Sequence, residues 1–192
     1  MATTLWGYTQ AVDASNSQTN GNIIAGVGTF GAISNAYVTE LAFYNIQTTS
    51  RATRMAVYQG GTSDTNPFGA TLITELAITG GGIGWVTGTV TGAPALAANT
   101  RTWVVCKNSV GLPYTNSYTN KGDFNATNGR VVVIGATNTP DQTLPFPVTM
   151  DNTSTTTVSW GVHLRMGYDV SGGGGSAIAA ISSGFHVRNI NR

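Results

Sequence analysis

The clearest periodicity in the chain lies in Thr157-Val-Ser-Trp-Gly-Val-His-Leu-Arg-Met-Gly167. Apolar side chains occupy every second position from Val158 to Met166, and the positions between them are polar or glycine. A period of two places successive side chains on opposite faces of a β-strand, which predicts one buried and one solvated face. His163 falls on the face that is predicted to be solvated. We therefore expect a strand at the surface of a sheet that covers a core.

The same strand character recurs through most of the chain. Short segments rich in β-branched and aromatic residues alternate with segments rich in Gly, Asn, Asp, Pro and Ser, which favour turns. Capped segments with a helical period are almost absent. The further predicted strands are Tyr37–Ile46, Thr53–Tyr58, Leu72–Ile78, Gly84–Val90, Thr102–Lys107 and Arg130–Ile134. This succession predicts an all-β protein, an antiparallel β-sandwich of two sheets with jelly-roll topology and extended N- and C-terminal arms.

The composition is polar but almost uncharged. Charged residues make up 9% of the 192 residues, against about 25% in typical globular proteins, and the formal net charge is +1. A hydrophobic fraction of 41% is sufficient for a packed core. Such a chain has no long-range field to attract nucleic acid or an anionic membrane, and no apolar run long enough to span a bilayer. We expect neither nucleic acid nor a membrane among its partners.

Three segments follow from these patterns. We predict an N-terminal extension and first strand in residues 1–30, the β-sandwich in residues 31–170, and a glycine-rich hinge with a C-terminal arm in residues 171–192. The hinge, Ser171-Gly-Gly-Gly-Gly-Ser176, has the composition of a flexible joint. The arm is too apolar to remain solvated, so we expect it to dock on the sandwich or on a neighbouring subunit. Its apolar contact residues are Ile178, Ile181, Phe185, Val187 and Ile190.

Residues that carry chemistry form no recognisable catalytic or metal-binding motif. Gly26-Val-Gly-Thr-Phe-Gly31 has the spacing of a dinucleotide-binding loop, but no helical pattern follows it, so a glycine-rich turn is predicted. His163 and His186 lie outside any zinc-binding spacing, and the acidic residues are scattered singly. Cys106 lies in an apolar strand and is predicted to be a buried thiol. We predict a non-enzymatic protein with no cofactor and no metal.

Aromatic side chains are the candidates for ligand contact. Tyr114 and Tyr118 lie in a long polar loop, where an aromatic ring suggests a contact surface. Trp6 and Tyr8 are assigned to the N-terminal extension. Strand tryptophans anchor cores more often than they form platforms for sugar rings, so we expect core positions. The four tryptophans are Trp6, Trp85, Trp103 and Trp160.

A succession of strand sequences between residues 37 and 107 resembles the jelly-roll modules of tailed-phage virion proteins and of some bacterial surface adhesins. The quoted segments are Tyr37-Val-Thr-Glu-Leu-Ala-Phe-Tyr44, Arg54-Met-Ala-Val-Tyr-Gln-Gly-Gly61, Gly84-Trp-Val-Thr-Gly-Thr-Val90 and Leu96-Ala-Ala-Asn-Thr-Arg-Thr-Trp-Val-Val105. They cover somewhat over a third of the chain. With the low charge and the Thr, Asn and Gly bias, the chain resembles capsid decoration (cement) proteins and tail-fibre modules.

This resemblance implies a structural protein of a bacteriophage virion, most simply a capsid decoration protein. Its expected partners are copies of itself, in a homotrimer, and the major capsid protein or another virion protein. The start Met1-Ala-Thr-Thr-Leu-Trp6 lacks the basic and apolar segments of a secretory signal, which predicts synthesis in the host cytoplasm. The alternative is a glycan-binding or tail-fibre receptor-binding module that uses Tyr114 and Tyr118.

Overall fold

A computed structural model describes residues 3–8, 16–17, 22–45, 48, 51–108, 113–115, 131–134, 145–150, 155–157 and 161–170. Every regular element in this part of the chain is a β-strand. No helix that could cross a membrane is found there. In chain order the strands are β1 (Thr4–Gly7), β2 (Asn16–Ser17), β3 (Asn22–Thr29), β4 (Ala36–Asn45), β5 (Arg51–Gln59), β6 (Thr71–Gly80), β7 (Gly84–Thr89), β8 (Ala95–Leu96), β9 (Arg101–Asn108), β10 (Pro113–Thr115), β11 (Val131–Ile134), β12 (Thr155–Thr157), β13 (Gly161–Val162) and β14 (Leu164–Asp169).

The described strands form two main antiparallel sheets and one small sheet. The five-stranded sheet has the order β1-β14-β4-β7, with β8 also paired to β4, and the six-stranded sheet has the order β12-β11-β3-β9-β5-β6. The small sheet has the order β13-β10-β2. If β1, β3, β4, β5, β6, β7, β9 and β14 are numbered one to eight, the main sheets run 1-8-3-6 and 2-7-4-5. This is jelly-roll order, and the predicted antiparallel β-sandwich is confirmed.

Six of the predicted strands occur as β4, β5, β6, β7, β9 and β11, each with ends within two residues of the expected ones. The continuous strand predicted over residues 157–167 is wrong. β12 ends at Thr157 in the six-stranded sheet, β13 belongs to the small sheet, and β14 begins at Leu164 in the five-stranded sheet. The alternation of side chains therefore runs through a segment that passes from one sheet to another. Trp160 lies outside the described residues.

The N-terminal segment contributes strands to both sheets. Trp6 and Tyr8 do not lie in an extension, because β1 pairs with β14 and both side chains are buried in the core. The glycine-rich turn predicted at residues 26–31 is also wrong, because Gly26 and Gly28 lie within β3, between β9 and β11. Val27, which lies between these glycines, and Ala25, which precedes Gly26, are fully buried. The segment thus has the period of a strand, with glycine on one face.

The main core lies between the two large sheets. Phe30 is fully buried there, with its ring centroid 6.3 Å from that of Trp6 and 5.1 Å from that of Tyr168. The aromatic rings of β1 and β14 therefore meet the end of β3 across the sandwich. Full burial of one such side chain contributes about 1.5–3 kcal/mol of transfer free energy. Other fully buried members are Val38, Leu41, Phe43, Met55, Val57, Val104, Cys106, Leu164 and Met166.

A second apolar cluster lies on the opposite face of the six-stranded sheet. The segment Pro145-Phe-Pro-Val-Thr-Met150, here called the strap, covers this face with Phe146 and Met150. The Leu72 N–H donates to the carbonyl of Val148 (2.8 Å), and the Tyr58 hydroxyl donates to the carbonyl of Pro147 (2.6 Å). The six-stranded sheet is consequently packed on both faces, which requires apolar residues at successive positions of its central strands. The sheet residues under the strap are Ala25, Val27, Ala56, Tyr58, Trp103 and Val105.

Close approach of β6 and β7 gives a first prediction. A methyl group on Gly80 would overlap Cγ1 of Val86, a β-branched side chain with little rotational freedom. We expect Gly80→Ala to lower the free energy of unfolding by about 1–3 kcal/mol, as overpacking does. Gly31→Ala is the matched control, because a Cβ there meets no atom within 4 Å. Urea unfolding measures both, and equal stability of the two variants would contradict the packing described for β6 and β7.

The strap gives a second prediction. Phe146 is 4% exposed and Val148 is 72% exposed, although they are two residues apart. We expect Phe146→Ala to lower the free energy of unfolding by about 3 kcal/mol, because the missing ring leaves a cavity in the second apolar cluster. Val148→Ala should change it by no more than about 0.5 kcal/mol. If calorimetric unfolding showed the two variants to be alike, the strap would not stabilise the sheet as described.

Candidate functional site

Three side chains share the outer face of the five-stranded sheet. Residues directly opposite each other in an antiparallel pair point to the same face. Tyr44 on β4 is opposite Trp85 on β7, and Arg165 on β14 is opposite Ala42 on β4. Phe43, between Ala42 and Tyr44, points into the core. Tyr44, Trp85 and Arg165 therefore share the opposite face of the sheet, where all three are half-buried, and Trp85 also packs against the main core cluster. We name them the Trp85 cluster.

A cation–π contact joins the outer strands of this cluster. The Arg165 guanidinium carbon lies 4.0 Å from the centroid of the Trp85 ring, and the Tyr44 and Trp85 rings meet edge to face at 5.5 Å. β14 and β7 lie on either side of β4, so the Arg165 side chain must extend across that strand. The small Ala42, opposite Arg165, leaves room for this path and is fully buried. The contact thus links three neighbouring strands on one face.

The Arg165 side chain has an enclosed N–H donor without an acceptor. Its Nε is enclosed and has no hydrogen-bond partner, and no acidic group lies within ion-pair distance among the described side chains. Burial lowers the pKa of the guanidinium, and the charge of Glu40 opposes that shift. The other cations with described side chains all have partners: Arg54 with Glu75 at 2.9 Å, Arg101 with Asp64 at 2.7 Å, and Lys107 with the carbonyl of Pro145 at 3.2 Å.

His163 lies beside this cluster and is buried, so its predicted solvated position is wrong. Its ring centroid is 4.3 Å from that of Tyr8 and 6.4 Å from that of Tyr44. Nδ1 is enclosed and has no hydrogen-bond partner. Burial lowers the pKa of His163 to about 4. The imidazole is therefore neutral near pH 7, and it belongs to the aromatic packing between β1 and β4.

The Trp85 cluster has the chemistry of a binding surface. Its ring faces and guanidinium can contact and orient a ligand, whereas the neutral, enclosed His163 is not poised to exchange protons at neutral pH. The predicted buried thiol is confirmed at Cys106, whose pKa burial raises to about 12. In the described part of the chain, no group of three or more His, Cys, Asp or Glu residues is placed to hold a metal ion.

The contact residues predicted from sequence are not among the described side chains of the Trp85 cluster. Tyr114 is in β10, opposite Asn16 of β2 and Val162 of β13, and its backbone alone is described. Tyr118 lies outside the described residues. The arm residues Ile178, Ile181, Phe185, Val187 and Ile190 also lie outside them. The contact surfaces assigned to these side chains remain predictions.

Sequence reasoning assigned Trp85 to the core and did not find its contact with Arg165. Trp6 and Trp103 are buried as expected of strand tryptophans, and the half-buried Trp85 packs both against the main core and against Arg165. The signal was present in Gly84-Trp-Val-Thr-Gly-Thr89, because Trp85 has the same parity as Thr87 and Thr89. Both threonines are exposed. A tryptophan in phase with polar residues is a better candidate for contact than one in phase with apolar residues.

The pKa of His163 gives a third prediction, on stability. The folded-state pKa of about 4 lies below the usual histidine pKa of 6.5, so between these pH values the unfolded chain binds a proton that the folded chain does not. The contribution of His163 to stability is complete above pH 6.5 and is lost as the pH falls to about 4, by an amount on the order of 2 kcal/mol. His163→Phe should flatten this part of the profile. Urea unfolding across this range checks it, and a profile that is the same with and without His163 would contradict its burial.

Comparisons with protein-family models, with curated proteins and with solved structures find no match to this chain. The resemblance to tailed-phage virion modules therefore stays a prediction.

Proposed function

We propose that this protein is a non-enzymatic structural protein of a bacteriophage virion, of the capsid decoration or cement type. It binds and stabilises a protein lattice through its terminal arms and the edges of its sandwich. The proposal includes synthesis in the host cytoplasm, a homotrimer, and contact with the major capsid protein or another virion protein. The sequence resemblance suggests this role, and the geometry of the two chain ends supports it best.

The two ends of the sandwich lie side by side. β1 begins at Thr4, which is opposite Tyr168 near the end of β14. Val170 follows β14 and is 45% exposed. The apolar arm sequence of residues 171–192 continues from this position. Both ends of the jelly roll thus leave the five-stranded sheet at one end, and this is the observation that carries the proposal.

The edges of the sandwich suit contact without charge. β7 is an edge strand of the five-stranded sheet, and its sequence Gly84-Trp-Val-Thr-Gly-Thr89 has no charged residue. An exposed strand edge offers backbone N–H and C=O groups to a partner. Polar uncharged side chains can enter such an interface without the desolvation cost of buried ions. An interface of this kind should depend weakly on salt.

Two carboxylates, Glu75 and Asp64, form ion pairs that stabilise the fold. Glu75 forms an ion pair with Arg54 and accepts a hydrogen bond from the backbone N–H of Phe146 in the strap (2.8 Å). Asp64 pairs with Arg101, which also donates to the carbonyl of Gly61 (2.8 Å). These ion pairs and hydrogen bonds join the strap and the loop that contains Asp64 to the six-stranded sheet, in keeping with a structural role.

A glycan-binding module is the second candidate function. The half-buried Tyr44 and Trp85 rings beside Arg165 favour it, since aromatic and polar groups together are typical of ligand-binding surfaces.

The arm gives the fourth prediction, which tests the proposed function. The full chain should have the mass of a trimer in multi-angle light scattering and should sediment with undecorated tailed-phage capsids at both low and high salt. Replacing Ile181 and Phe185 together by Ser should weaken assembly by about tenfold or more per removed side chain, because their apolar burial is lost.

The double variant Ser182→Ala and Ser183→Ala is the control, since it changes the same arm without removing apolar area. Its mass and its sedimentation should match those of the unaltered chain. A monomeric full chain that ignores capsids, or capsid binding that collapses as salt is raised, would contradict the proposed function.

A further inference from the structure

The unpaired Arg165 is the strongest sign of a ligand in the described part of the molecule. A guanidinium has five N–H donors and always carries its charge. A half-buried cation with an enclosed N–H donor that lacks an acceptor costs free energy, because that donor has lost water without gaining a partner. Two arginines of the six-stranded sheet, Arg54 and Arg101, instead pair with carboxylates. An anion bound from solution would supply the same compensation to Arg165.

The Trp85 ring positions the Arg165 guanidinium through a cation–π contact, so that it can pair with such an anion. A guanidinium placed over an aromatic ring gains a cation–π contact and keeps its N–H donors available to a second partner. The contact distance of 4.0 Å shows that Trp85 supports the Arg165 guanidinium. Tyr44, edge to face with Trp85, fixes the ring from the β4 side. Less side-chain freedom is then lost when an anion binds.

The surroundings of Arg165 favour a ligand with one negative charge and many hydroxyl groups. Thr87 and Thr89 are exposed on the face that Trp85 occupies, and they offer hydroxyls for hydrogen bonds. Glu40, on the same face and opposite Thr89, influences Arg165 through its charge and would repel a ligand with several anionic groups. One cation beside one acid therefore suits a singly charged ligand better than an acidic peptide or a nucleic acid.

We propose that the Trp85 cluster binds a sugar that carries a single carboxylate. The Arg165 guanidinium pairs with the carboxylate, as its fork geometry allows. The Tyr44 and Trp85 rings contact the sugar ring, and the threonine hydroxyls of β7 contact its hydroxyl groups. This site is separate from the terminal arms, and it uses the side chains on the outer face of β7 rather than the backbone edge of that strand.

Isothermal titration calorimetry on the full-length protein provides the test and the fifth prediction. The probes are two matched pairs, sialyllactose with lactose and cellobiouronic acid with cellobiose, in which one member carries a carboxylate. We expect at least one acidic sugar to bind about tenfold or more tightly than its neutral counterpart, as one charge-assisted contact provides. Arg165→Gln should remove that difference, and Arg101→Lys should leave it unchanged.

A second pair of variants avoids any effect on folding. Thr87→Glu adds a negative charge at an exposed position beside the site, and it should weaken binding of the acidic sugar by about tenfold or more while the neutral sugar is unaffected. Thr91→Glu, exposed but beyond the end of β7, should leave both affinities unchanged.

The outcome that neither acidic sugar binds better than its neutral counterpart would overturn the inference. Retention of the preference in Arg165→Gln or Thr87→Glu would do the same, as would tighter binding of a tetraglutamate peptide. Light scattering and capsid sedimentation of Arg165→Gln separate this site from the proposed virion function. Both measurements should be unchanged in that variant, because they depend on the arm.

Discussion

The insertion of β14 between β1 and β4 is the interaction on which the rest of the structure depends. β14 pairs with both strands, so the first and last strands of the jelly roll are joined through backbone hydrogen bonds. Its inward side chains, Leu164, Met166 and Tyr168, are buried in the main core. Its outward Arg165 reaches Trp85. A single six-residue strand thus closes the five-stranded sheet, completes the core and supplies the cation of the candidate site.

The two large sheets use their outer faces differently. The six-stranded sheet is covered by the strap, and its central strands are accordingly apolar on both faces. The outer face of the five-stranded sheet includes the half-buried Trp85 cluster together with exposed threonines. One outer face therefore contributes a second core, and the other has the mixture of aromatic, hydroxyl and charged groups that ligand recognition uses.

Strand positions were predictable where alternation and turn residues agreed, as in β4 to β7 and in β9. β3 was missed because glycines interrupt its pattern, although Ala25 and Val27 keep the period of a strand. Periodicity over residues 157–167 cannot reveal which sheet each part joins, so the change of sheet before Leu164 was missed as well. The burial of His163 depends on Tyr8, which comes from the other end of the chain. The Trp85 cluster combines three strands, and only the threonine phase of β7 is visible in the sequence.

The position of β14 also sets an order of events during synthesis. The ribosome makes β1, β3 and β4 long before residues 164–169, so the gap between β1 and β4 stays open while most of the protein is already outside the exit tunnel. During that interval the edges of both strands, and the apolar surface that Met166 and Leu164 later cover, are without their native neighbour. Among the described strands, the five-stranded sheet therefore receives β14 only after every strand of the six-stranded sheet has been synthesised.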